Sequence, residues 1–271
     1  MSLNDISLTQ GMRSNLVALQ STVSLLNRTQ ERLSSGKKVN SALDNPINFF
    51  AAQSHLQRAS DLAARKDGMS EGIQVVKAAD AGIKGITALI ESAKGLASAA
   101  RTAGTTEAAT LAGQFNTMLL QISDLAEDSG YKGVNLLADA DLTIEFNENA
   151  SNKLVINGFD ASATVGLGIA QAAGAWATSV NINTAVTALD TALTTLRGST
   201  STLSSNLAIV NARQEFTTNM VNTLTGGADN LTLADMNEEG ANMLMLQTRQ
   251  ALSTTALSMS AQAAQSVLRL F

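Results

Sequence analysis

A single proline, Pro46, stands in 271 residues. Proline removes a backbone donor and clashes with the turn before it, so it ends helices. A chain that nearly lacks it can run helix over most of its length. The apolar spacing agrees. Met12, Leu19, Leu26 and Leu33 recur every seven residues, with Leu16 and Val23 in the complementary position. That pattern predicts a helical seam over about residues 3–33. Gly36, after Ser34 and Ser35, is a helix stop. The run SSGKKVNSALDNP is a polar connector, with Asp44 or Asn45 able to cap and Pro46 placed as a first helical residue.

From Pro46 to about Ala100 a second helix is expected, on Met69, Val76, Ile83, Ile90 and Ala97. Gly68, Gly72, Gly82, Gly85 and Gly95 lie within it, each costing about 1 kcal/mol against alanine. Either neighbouring backbones come close enough to need small residues, or the helix is interrupted near Gly82 to Gly85. Glu107 to Asp128 reads as a third helix. Between Leu142 and Phe159 the apolar period falls to two, across the turn-rich NENASN, which predicts a hairpin. GLGIAQAAGAW (166–176) has no period and reads as a loop. Helix resumes from about Asn183 to Thr225, TGGADN (225–230) should break or bend it, and a last helix runs from about Leu233 to Leu270. The fold class is mainly α, with a small β-hairpin in the middle.

The last helix poses the functional question. Ala251 to Val267 carry no charge, yet Ser253, Thr254, Thr255, Ser258, Ser260, Gln262, Gln265 and Ser266 interrupt the apolar residues. A bilayer span needs roughly 20 predominantly apolar residues, so no membrane insertion is expected. The spacing of Met245, Leu252, Met259 and Val267 predicts an amphipathic helix whose second face is Ser, Thr, Ala and Gln. A paired helix normally wears Glu and Lys on its flanks. Where they are missing, the flanks meet other protein. Such a tail is buried on assembly with further copies. The expected polymerisation interface is Leu8, Met12, Leu16, Leu19, Val23, Leu26, Leu33, Leu252, Leu257, Met259, Val267, Leu268 and Phe271.

Other functions find little support. The net charge is −5, and no basic stripe interleaved with aromatics appears, so no nucleic acid is expected. Cysteine is absent, which removes disulfides and thiolate metal sites. His55 is the only histidine and has no metal-ligand spacing. Glu238 and Glu239 are adjacent on a helix, so they diverge, and read as helix-start charges. TGGADN and GVNLL lack the lysine of a phosphate-binding loop. No catalytic, cofactor-binding or metal residue is assigned, no cofactor is expected, and an enzyme is not. The N-terminus MSLNDISLTQGM has neither basic nor apolar signal regions, so export would need another route.

Arg32-Leu33-Ser34-Ser35-Gly36-Lys37-Lys38-Val39-Asn40-Ser41-Ala42, followed by Asp44, resembles the flagellin motif R-L-S-S-G-x-R-I-N-S-A-x-D. Asn237-Glu238-Glu239-Gly240-Ala241-Asn242, Gln247-Thr248-Arg249-Gln250 and the terminal AAQSVLRLF are similar to the same family. The resemblance implies a structural subunit of the bacterial flagellar filament, used for swimming motility. It implies a long antiparallel helical bundle or coiled coil of the paired terminal helices. Residues 1–40 with 230–271 would form this inner domain, and 41–229 a second helical domain with its hairpin near 142–159, without a large outer insertion. Gly36, Lys37, Lys38, Asn40 and Asp44 would form the interdomain linker. The implied partners are further copies of the chain, hook-associated junction proteins, a filament cap protein and a flagellar export chaperone. The implied location is the extracellular flagellum filament, reached through the flagellar type III apparatus without a cleaved signal peptide. A hook–filament junction protein or a flagellin-like surface-binding protein is the alternative.

Two departures stand out. The family often has Asp-Asp-Ala-Ala-Gly where this chain has Asp44-Asn45-Pro46-Ile47-Asn48-Phe49-Phe50. Flagellins detected by the vertebrate Toll-like flagellin receptor resemble Q-R-V-R-E-L where this chain has Glu91-Ser92-Ala93-Lys94-Gly95-Leu96. The first arginine is lost and lysine replaces the second with a different donor geometry, which implies weak recognition.

Overall fold

The computed structural model describes residues 10–268. The elements are α1 (Gln10–Ser35), α2 (Pro46–Ala100), α3 (Thr105–Asp128), β1 (Leu142–Glu145), β2 (Lys153–Ile156), a short 3-10 turn (Ala173–Trp176), α4 (Ser179–Thr232) and α5 (Met236–Leu268). They fall into two compact units, and both α2 and α4 contribute to each. One unit holds the two ends of the chain, up to Gln57 and from Thr223; the other is Arg58–Asn222.

In the terminal unit α1 packs along α5. The C-terminal end of α1 meets the N-terminal end of α5, so the pair is antiparallel. The seam differs from the expected one. The buried positions of α1 are Met12, Thr22 and Thr29, while Leu16 and Val23 are half-buried on its flank. Counting sevens from Met12, the position three residues on is 15, 22 and 29. Two of these are threonines. Thr22 donates its hydroxyl to the Ala18 carbonyl at 2.8 Å, so its polar group is satisfied inside the helix and its methyl faces the seam. Gly36 has φ +70, the left-handed conformation that ends α1, and its N–H donates to the Arg32 carbonyl at 2.8 Å. Of the two candidate caps for α2, Asn45 does the work, accepting the Asn48 N–H at 3.1 Å.

The expected break at TGGADN does not occur, and of the two alternatives for the glycines of α2 the structure has close packing. Helix α4 runs through Gly226 and Gly227 to Thr232, and Ala228 beyond them is buried. Helix α2 is unbroken across Gly82 and Gly85. A Cβ on Gly82 would stand 2.2 Å from Ser129 Oγ and 2.7 Å from Leu137 Cδ1, and one on Gly72 2.5 Å from Ile144 Cδ1. Close approach of α2 to its neighbours explains these two glycines. Gly68 and Gly95 have open space instead.

The second unit is built on that packing. Ile86 and Ile90 of α2, Phe115 and Ile122 of α3, and Leu189 and Leu196 of α4 are buried in one core with Leu136, Leu137 and Ile156. Strands β1 and β2 pair antiparallel, Leu142 with Ile156 through Glu145 with Lys153. Ile144 and Ile156 face inward and Val155 outward, the alternation that period two requires. The segment 166–176 is mostly loop, as expected, but it ends on a buried anchor. Trp176 packs against Phe115, ring centroids 4.9 Å apart, and Gly174, Ala175 and Trp176 all take positive φ to put it there.

Candidate functional site

The candidate site is the apolar surface of α1 and α5 with the connector at their joined ends. Residues 243–246 of α5 are Met, Leu, Met and Leu. Successive helical positions turn by about 100°, so these four point almost all the way round. Leu246 is buried, whereas Leu244 is 67% exposed. Further along, Leu252 is 66% and Met259 60% exposed. The last helix is therefore not amphipathic as expected: apolar residues surround it, and one side alone is covered within the unit. Helix α1 matches it with Val17 at 64%.

The expected interface residues divide accordingly. Met12 is buried. Leu16, Leu19, Val23, Leu26, Leu33 and Leu257 are half-buried, and Leu252 and Met259 are exposed. Leu8 and Phe271 lie outside the described residues, as do the side chains of Val267 and Leu268. Thr22, Thr29 and Leu246 were missed. Threonine is polar by composition, and only a count of the heptad from Met12 would have found the first two.

The connector is pinned at several points. Lys37 pairs with Leu233 as an antiparallel bridge, and the Ala234 N–H donates to the Gly36 carbonyl at 3.0 Å. The Lys38 and Val39 N–H groups both donate to the Thr232 carbonyl, at 2.7 and 3.3 Å. Lys38 Nζ donates to the Asn230 carbonyl at 3.2 Å, while Lys37 stays exposed. Asp44 Oδ2 accepts the Ser41 and Asn40 N–H groups, each at 3.0 Å. Hydrogen bonds from Ser41 and then Asn40 hold its carboxyl below the usual carboxylate value.

Beside the connector, Arg32 Nη1 donates to Glu239 Oε1 at 2.8 Å. Glu239 is buried and its Oε2 meets no donor. Glu238 and Glu239 lie in the first turn of α5, as expected, but nothing local signals the pairing with Arg32. Asp235 caps the same turn, accepting the Asn237 and Glu238 N–H groups at 2.9 and 3.3 Å. An aspartate three residues before a glutamate is the sequence signal for that cap. His55 is half-buried on α2.

Charge is unevenly shared between the two units. The stretches up to Gln57 and from Thr223 carry seven Lys and Arg against seven Asp and Glu, a balance of zero. Arg58–Asn222 carries 11 against 16, so the whole net charge of −5 lies there. The exposed apolar residues of α1 and α5 thus sit on the neutral unit, where association meets least repulsion. Among the described residues no helix is long and apolar enough to cross a membrane.

A family model described as the bacterial flagellin N-terminal helical region matches residues 5–141. Flagellin FljM of Caulobacter vibrioides is 28% identical over 273 residues, covering 100% of both chains. A flagellin of Brucella melitensis is 27% identical over 267 residues, covering 94% of this chain and 95% of its own. A solved flagellin of Bacillus cereus aligns at 16% identity over 55% of this chain and 88% of its own, with a TM-score of 0.49, too loose a likeness to bear on the reading.

Proposed function

Because the chain belongs to the bacterial flagellins and is a subunit of the flagellar filament, we propose that the apolar surface of α1 and α5 is where copies join. The carrying observation is that Leu252 and Met259 stand more than half exposed on an otherwise uncharged stretch of α5. Leaving them in water costs free energy that burial against a second copy recovers. Leu8, Met12, Leu16, Leu19, Val23, Leu26, Leu33, Leu252, Leu257, Met259, Val267, Leu268 and Phe271 form this interface. Met12 supports it from within, by holding α1 against α5. Gly36, Lys37, Lys38, Asn40 and Asp44 link the inner domain to the rest, and their bonds to the end of α4 fix the start of α5.

The family is a structural one, and the subunit works by packing. At the ends of the polymer the same surfaces meet hook-associated junction proteins and the filament cap. Before export a chaperone shields α5. The filament lies outside the cell, and the subunit reaches it through the flagellar export apparatus without a cleaved signal peptide. What supports these readings is family membership together with the bare apolar tail.

Seeded polymerisation of purified monomer, followed by sedimentation and negative-stain microscopy, tests the interface. Leu252→Asp and Met259→Asp, made singly, should each cut seeded growth at least tenfold with helical content unchanged. Growth at the parent rate by either variant would remove α5 from the interface.

A further inference from the structure

Two grooves of opposite charge lie on the terminal unit, and both are lined by the Arg32–Glu239 pair. The first, about 350 Å³, runs between α1 and α5 and contains Arg28 and Arg249, floored by Thr29 and Leu246. Both arginines are exposed, and among the described residues neither forms an ion pair. The second, about 280 Å³, lies at the connector and contains Asp44, Asp235 and Glu238 with Lys38. With Arg32 and Glu239 offsetting each other, the first groove has a surplus of two positive charges. The second sets three carboxylates against one lysine, a surplus of two negative charges. Glu239 lines both, buried, with its Oε2 lacking a donor.

We infer that the basic groove of one copy receives the acidic groove of a second copy, in a head-to-tail contact that orders the polymer. This rests on the filament reading and adds the charged register to its apolar interface. A contact between two different patches is heterologous, and it propagates as an open helix where its rotation does not close a ring. The apolar surface supplies attraction without direction. Paired charges supply direction, because registers that set like signs together are penalised. The two grooves are opposite in sign and equal in size of surplus, and they lie on the one unit of this chain with no net charge to repel its neighbours. The first groove also includes Leu25 and Met245, exposed apolar residues that continue the α1 and α5 surface into the charged contact.

Charge reversal tests the inference in the full chain. Arg249→Glu and Glu238→Arg alter exposed side chains, so circular dichroism should show parent helicity for both. In seeded polymerisation each variant alone should raise the critical concentration at least tenfold. An equimolar mixture of the two should regain growth, because the two neutralised grooves then face each other and the two intact grooves pair in the alternate contacts, which leaves no surplus charge unmatched. The chain carrying both changes should regain it too. Normal growth by either single variant overturns the inference, as does a mixture and a double variant that both stay monomeric while folded. Parent chain is run beside them: if it grows while these outcomes fail, the filament reading stands and the groove pairing falls. If the parent itself cannot grow on seeds, both fall together.

Discussion

Arg32 and Glu239, 207 positions apart in sequence, meet at 2.8 Å where α1 ends and α5 begins. The arginine belongs to the connector motif and the glutamate to the start of the tail, so one ion pair joins two stretches that each resemble the family's sequence.

Breaking that pair should cost the terminal unit more than removing it. Arg32→Ala leaves a buried carboxylate with no partner, a loss of roughly 2 kcal/mol. Adding Glu239→Gln to it should restore part of the stability. Urea unfolding followed by circular dichroism gives both values. If the double variant lost as much as the two single losses summed, the residues would not act as a pair.

Alanine at two glycines of α2 should have opposite signs. Gly95 has open space around it, so Gly95→Ala gains helix propensity and stabilises by about 0.5–1 kcal/mol. Gly82 packs against Ser129 and Leu137, so Gly82→Ala must displace them and destabilises by about 1–3 kcal/mol. Thermal unfolding of the two variants beside the parent decides it, and a stabilised Gly82 variant would refute the close approach.

Acid should loosen the connector at Asp44. Its carboxyl is held below its ordinary value of 3.8 by the Ser41 and Asn40 N–H groups. A depressed value in the folded state means the contribution is complete above 3.8 and disappears as pH falls through the lower folded value. Exchange protection of the Ser41 and Asn40 amides should therefore stay constant from neutrality to that point and drop below it. In Asp44→Asn the drop should vanish.

Reporter cells carrying the vertebrate Toll-like flagellin receptor should respond weakly to purified monomer. Lys94, in the stretch that would be read, is already engaged with Asp190 of α4. Glu91 stands where the recognised pattern has glutamine, and neither arginine is present. A full-strength response would show that other residues carry the recognition.

Much of the fold was legible from spacing. Seven-residue repeats located α1 and α2, the period of two located the hairpin, and Pro46 marked a helix start. The illegible parts share a cause: a local rule overridden by packing. Glycines signal a break, yet Gly226 and Gly227 lie inside α4, which continues to the buried Ala228 and on to Thr232. Threonine signals surface, yet Thr22 and Thr29 are buried in the seam, Thr22 with its hydroxyl bonded to the Ala18 carbonyl within the helix. For the site, exposed apolar residues on α5 were expected from its missing charges. The Arg32–Glu239 pair was not, since nothing in either local stretch announces a partner so far along the chain.

The single tryptophan has a spectroscopic consequence. Trp176 is buried against Phe115, and the single tyrosine, Tyr131, lies in the same unit. Intrinsic fluorescence therefore comes from Arg58–Asn222, while α1 and α5, the helices proposed to join copies, hold neither Trp nor Tyr. An emission spectrum that stays fixed as subunits assemble, beside rising light scattering, would follow the two halves of the molecule at once without attaching a dye.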